Sequence, residues 1–198
     1  MAEFLISKGG DTNLQDNYGK TPLHCSVYNG YKEMAEFLIS KGAGMNIKDI
    51  YGKTPLHYAV CGEEEDIAEI LLTEDTMNIK DNNGKSPLHY ASENASKRII
   101  ELLLSKGADV NIKDDYSRTP LYYAADEGNK EVAELLISYG AEVNSKADSG
   151  WAPLHKAVYG HYTSAEEMLI SRGATRDLLY GAMKNDKKLV EELLARGD

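Results

Sequence analysis

TPLH at residues 21–24 returns as TPLH at 54–57, SPLH at 86–89, TPLY at 119–122 and APLH at 152–155. All five prolines of the chain lie in this motif, and the steps between them are 33, 32, 33 and 33 residues. Self-similarity at one fixed period is the signature of a stacked array. Apolar stretches follow the first four prolines in register, at 35–39, 67–72, 99–104 and 132–137. Thr21, Thr54, Ser86 and Thr119 carry hydroxyls suited to capping a helix, and proline fits the first helical position, where its missing N–H is harmless. Each tetrapeptide therefore opens a short helix. Gly42, Gly107, Gly140 and Gly173 stand where a left-handed residue would end a longer one. Tyr18-Gly19, Tyr51-Gly52, Asn83-Gly84 and Ser149-Gly150 read as tight turns with extended flanks, a hairpin finger between units. A unit of this size cannot bury its own apolar face, so neighbours must supply the core.

Composition narrows the function. Of 198 residues, 42% are hydrophobic and 27% charged, enough for a core and too apolar for disorder along the whole chain. Thirty-two acidic against 22 basic side chains leave a net charge of −10, which repels polyanions and makes nucleic acid and anionic membranes poor partners. The start, MAEFLISKGG, lacks the features of a signal peptide, and no apolar run approaches the roughly 20 residues that a bilayer demands. Cys25 and Cys61 form no CxxC pair, which points to a reduced, cytoplasmic type of compartment.

With five matches at constant spacing, the chain resembles the ankyrin repeat proteins over essentially its whole length. The resemblance implies an all-α repeat solenoid, a stack of helix-loop-helix units with β-hairpin fingers. Its parts would be a partial repeat at 1–17, full repeats at 18–50, 51–82, 83–115, 116–148 and 149–175, and a capping helix pair at 176–198. MAEFLISK at 1–8 duplicates 34–41, so we expect a second helix whose first helix is absent, as in a fragment of a longer array or a thinly covered amino end. From Ala157 to Ala182 the step shrinks to 25 residues, which deletes a finger. The helices expected at 177–184 and 187–196 then carry Lys184, Lys187, Lys188, Glu191, Glu192 and Arg196 on a polar outer face, as a terminal cap requires.

Three irregularities stand out. The second unit is one residue short around Glu74-Asp75-Thr76 and lacks a glycine stop. Ala95 stands where Gly30 and Gly128 stand in other units. Ala152 replaces the capping hydroxyl, a loss of roughly 1 kcal/mol for that helix.

Candidates for chemistry are few. His24, His57, His89 and His155 recur in register, but units packed about 10 Å apart hold them too far from one another to share a metal. The resemblance implies that they bond backbone between adjacent fingers. His161 reads as a solvated or capping residue. No nucleophile elbow, P-loop or zinc-protease motif occurs, and Glu63-Glu64-Glu65-Asp66 suits the start of a helix. No catalytic residue, metal ligand or cofactor is expected. The sequon Asn94-Ala95-Ser96 and the tripeptide Arg196-Gly197-Asp198 read as chance matches. By resemblance, Asn13, Asn46, Asn78, Asn111 and Asn144 occupy positions that asparaginyl hydroxylases modify in some ankyrin repeats.

A binding surface remains. The resemblance places it on the concave side, made of finger tips and first helices. Counting from each proline puts Lys20, Lys53, Lys85, Arg118 and Trp151 two before, Tyr18, Tyr51 and Tyr116 four before, and Tyr28 and Tyr159 six after. Tyrosines number 13 against two phenylalanines, and tyrosine and tryptophan give large contact area at low entropic cost. Trp151, the only tryptophan, replaces a cation in its row and is the strongest single candidate. Lys48, Lys80 and Lys113 each precede an aspartate that offsets their charge, which leaves the fingers near neutral or weakly positive. The expected role is protein or peptide binding without catalysis by a monomer, to an acidic or mixed-charge partner. The competing expectation is a spacer or self-associating segment of a longer array.

Overall fold

The computed structural model describes residues 10–197. They fall into two compact units that divide between Asp109 and Val110, each built of two layers of helices. The first unit contains α1 (Pro22–Tyr28), α2 (Lys32–Ser40), α3 (Pro55–Cys61), α4 (Glu65–Leu71), α5 (Pro87–Glu93) and α6 (Lys97–Ser105). The second contains α7 (Pro120–Asp126), α8 (Lys130–Ser138), α9 (Pro153–Tyr159), α10 (Thr163–Ser171), α11 (Leu178–Met183) and α12 (Lys187–Arg196). In the first unit α1, α3 and α5 pack side by side in one layer, and α2, α4 and α6 in the other. The second unit repeats the plan with α7, α9 and α11 against α8, α10 and α12. The duplicated segment at 1–8 lies outside the described residues.

Proline opens α1, α3, α5, α7 and α9, and the leucine after it (Leu23, Leu56, Leu88, Leu121 and Leu154) is fully buried in every case. The second helices contribute Ile67, Leu71, Ile99, Ile100, Leu103, Leu136 and Leu169 to the core. Helices of seven and nine residues are too short to persist alone, so this burial is what holds them.

The histidine of the motif serves both ends of its ring. His24 Nδ1 accepts the Thr21 N–H at 3.1 Å, and its Nε2 lies 3.1 Å from the Lys53 carbonyl in the next finger. His57 does the same with Thr54 and Lys85, at 3.2 and 3.1 Å. A ring that accepts at Nδ1 and donates from Nε2 to a carbonyl is neutral. Burial, against the weaker pull of these bonds, lowers the pKa of both rings, that of His57 to about 4. At α9, Ala152 supplies no hydroxyl, yet its N–H still donates to His155 Nδ1 at 2.9 Å, so half of the cap survives the substitution. His155 Nε2 meets no finger carbonyl: where the chain omits a finger, Asp177 Oδ1 takes its place at 2.8 Å and also accepts the Tyr180 N–H that starts α11.

The fingers differ from the expected β-hairpins, for no strand occurs among the described residues. Each closes on one backbone pair, such as Asp16 N–H to Lys20 C=O at 3.0 Å, over a turn in which Gly19 N–H donates to Asp16 C=O at 2.9 Å. Gly19 is left-handed at φ 72°, and Ser117 takes the same place at φ 60° in the finger before α7. Successive fingers join by a single backbone bond at their tips, Ile50 N–H to Tyr18 C=O and Asn82 N–H to Tyr51 C=O, both 3.0 Å. A ladder this short leaves no room for regular strands.

The shortened unit has its own stop. In place of glycine, Thr76 is fully buried, and its hydroxyl donates to the Leu71 carbonyl at 2.8 Å and accepts the Thr73 N–H at 2.8 Å. The asparagine row is likewise structural. Asn13, Asn78, Asn111 and Asn144 each accept a backbone N–H of the following loop at 2.6–3.0 Å, whereas Asn46, opposite the shortened loop, makes no such bond. At the carboxyl end α11 and α12 pack together, and Lys184 is not simply part of a solvated face. Its ammonium and the Tyr180 hydroxyl both bond the buried Glu166 carboxylate, at 3.1 and 2.9 Å. Burial and that carboxylate push the Tyr180 hydroxyl up to about 12.

Two outcomes follow for stability. Replacing Thr76 with valine keeps the shape and orphans the Leu71 carbonyl, so urea unfolding should show a loss of about 1–3 kcal/mol. For His57, the unfolded ring binds a proton below pH 6.5 while the folded ring resists until about 4. Stability should therefore decline as pH falls through that window, by up to about 3 kcal/mol from this residue, and level off below it. Urea titrations of the protein and of His57→Gln at pH 7, 5 and 4 check this, since the variant should lose much of the decline.

Candidate functional site

The first helices turn one stripe of residues away from the second-helix layer, and the motif sets it. With the leucine and histidine turned inward, residues three and six after the proline lie one turn apart beside the residue two before it, and range from exposed Tyr28, Cys61 and Tyr159 to half-buried Tyr58 and Tyr90 and buried Tyr123. In the first unit, Lys20 Nζ sits 5.0 Å from the Tyr28 ring centre and 4.8 Å from that of Tyr58, and the two rings meet edge to face at 6.0 Å. Lys53 Nζ lies 4.4 Å from the Tyr90 ring and 4.0 Å from Cys61 Sγ. Lys85 lies 5.0 Å from the same ring and pairs with Glu93 at 2.8 Å. Contacts of this kind contribute about 0.5–1 kcal/mol each at exposed sites and hold the ammonium groups in place.

In the second unit, Arg118 stacks 4.7 Å from the Tyr116 ring and 4.9 Å from that of Tyr123, while its guanidinium pairs with Asp114 at 2.7 Å. Trp151 is half-buried and meets Tyr159 edge to face at 5.4 Å. Lys156 lies 5.6 Å from the Trp151 ring, 5.7 Å from those of Tyr122 and Tyr159, and 2.6 Å from Asp126.

Of the residues singled out from sequence, Lys20, Tyr28, Lys53 and Lys85 share one cluster, and Tyr116, Arg118, Trp151 and Tyr159 share the other face. Tyr18 and Tyr51 join neither, since their side chains stand alone at the finger tips. Among the described residues Tyr28 and Tyr159 are the most open aromatics, 68% and 66% exposed. Sequence reasoning missed Tyr58, Tyr90, Tyr123 and Lys156, all three after the proline.

The first three of these carry a further signal, a tyrosine nine residues after an aspartate. Tyr58, Tyr90 and Tyr123 donate to Asp49, Asp81 and Asp114 at 2.7, 2.6 and 2.7 Å. The other oxygen of each aspartate accepts two N–H groups of its own finger, for Asp49 those of Tyr51 and Lys53 at 2.9 and 2.8 Å. These aspartates are buried braces, so the expectation that they offset the adjoining lysines at the surface is corrected. Burial, reinforced by the carboxylates, raises the Tyr58 and Tyr90 hydroxyls well above the ordinary range. Burial would raise Asp114, but the bonds from Tyr123 and Arg118 outweigh it and hold its carboxyl below the usual value. In the fifth finger Ala147 replaces the aspartate and Lys156 the tyrosine, so brace and partner are lost together.

Among the described residues no set of three or more His, Cys, Asp or Glu side chains converges as metal ligands, and no helix is long and apolar enough to cross a membrane. No curated protein matches the chain closely. A family model described as three copies of the ankyrin repeat matches four overlapping stretches, residues 1–81, 41–114, 75–147 and 111–179. Repeats of this kind generally bind other proteins. The period, the layered helix pairs and this coverage agree, and the chain belongs to the ankyrin repeat family.

Proposed function

We propose that the protein is a monomeric binding module that grips a partner protein or peptide on the exposed face of its first helices and finger bases, and that it performs no catalysis. The observation that carries the reading is the gathering of aromatic rings and cations on that face: Tyr28 and Tyr58 with Lys20, Tyr90 with Lys53, and Trp151 and Tyr159 with Lys156. Aromatic side chains held by neighbouring rings lose little entropy on binding and make strong anchors. Two exposed, unpaired cysteines favour a reduced, cytoplasmic compartment as the place of action.

The test is a photo-crosslinker placed at Tyr159 or Tyr28 to identify the partner, followed by its affinity for alanine variants. Trp151→Ala and Tyr28→Ala should each weaken binding by about 2 kcal/mol, or roughly thirtyfold, with the unfolding midpoint retained. Tyr139→Ala, at the far end of α8, should leave it within twofold. Unchanged affinity in both face variants contradicts the assignment.

A further inference from the structure

We propose that Lys20 and Lys53 select an acidic segment in polyproline II form, with carboxylates three residues apart; this rests on the face being the binding face. Three successive fingers of the first unit offer a lysine two before the proline, and they are not equivalent. Glu93 takes up Lys85, but six residues after the other two prolines stand Tyr28 and Cys61, and no carboxylate of the described residues pairs with Lys20 or Lys53. The nearby Asp49 is buried and committed to the Tyr51 and Lys53 N–H groups and the Tyr58 hydroxyl. Two ammonium groups are thus held by tyrosine rings and lack an internal anion, in a molecule whose net charge is −10. At physiological salt the distant acids are screened beyond about 8 Å, whereas a carboxylate in contact is not.

Spacing fixes the form of the segment. Neighbouring first helices pack about 8–10 Å apart, and two lysines at equivalent places on successive fingers repeat at about that interval. Three residues of polyproline II advance about 9.3 Å and return the side chain to the same side. In a β-strand the third residue points to the opposite side. An α-helix brings a carboxylate round at a comparable distance only after seven residues and lacks the prolyl rings that pack on aromatic grooves. The tyrosine rings beside each ammonium supply aromatic surface of that kind.

The probe is a fluorescent (Glu-Pro-Pro)4 peptide, compared at 0.15 M salt with a composition-matched peptide whose glutamates are two and four apart and with an alanine-based helix bearing glutamates seven apart. The regular peptide should bind at least tenfold more tightly than either. Lys20→Gln and Lys53→Gln, which keep the stem against the rings, should each weaken it at least fivefold, and Lys106→Gln at the end of α6 should not. Equal affinity for all three peptides, preference for the helix, or an equal loss in Lys106→Gln overturns the proposal. If no peptide binds while Tyr28→Ala still releases a crosslinked protein partner, the acidic spacing falls and the binding face stands.

Discussion

A seven-residue helix and a nine-residue helix joined by a short loop cannot enclose an apolar core, and every other feature of the protein is a response to that constraint. The leucine after each proline and the isoleucines and leucines of the second helices become dry only because another pair lies against them. Stability in such a stack is the sum of what each pair contributes and what each contact between neighbours adds. The histidine of the motif belongs to both: one ring nitrogen fixes the start of its own helix, the other holds the next finger. Its neutrality is a condition of that double role.

The exposed face is what this arrangement leaves over. Once leucine, histidine and alanine are spent inward, positions three and six after the proline are left to meet one another across neighbouring helices, as Tyr58 meets Tyr28 and Lys156 meets Asp126. The chain fills them with tyrosine, lysine, cysteine and acid in a different combination in each pair. Some of these choices feed back into the scaffold, as the tyrosine–aspartate braces do for three fingers. Others, such as Trp151, Tyr159 and Lys156, gather against one another. Variation of charge from pair to pair, with Lys85 and Lys156 neutralised by Glu93 and Asp126, gives the face a pattern in place of a uniform sign.

Period, helix starts, helix stops and the outward rows were legible because they repeat at fixed distances and obey local rules of capping and turn formation. What escaped was written across the repeat or in exceptions to it. Asp49 and Tyr58 look like a surface charge and one more aromatic until the finger folds back over the helix and buries the carboxylate. Thr76 looked like a missing glycine, because nothing local says that a hydroxyl five residues downstream can cap a carbonyl. Ala152 looked like a lost cap, because the histidine's return bond to the backbone is invisible in a hydroxyl count. Asp177 shows the same lesson at the missing finger, where a side chain replaces a backbone carbonyl.

The account stands on coupling confined to adjacent pairs, and a double-mutant cycle reads it directly. Leu23→Ala in α1 and Leu56→Ala in α3 lie in helices that pack together, whereas Leu88→Ala in α5 lies one pair further on. The stack predicts a coupling of about 0.5–3 kcal/mol between Leu23 and Leu56 and additivity within about 0.5 kcal/mol between Leu23 and Leu88. Equal coupling in both cycles, as in a core shared by all helices at once, would contradict it.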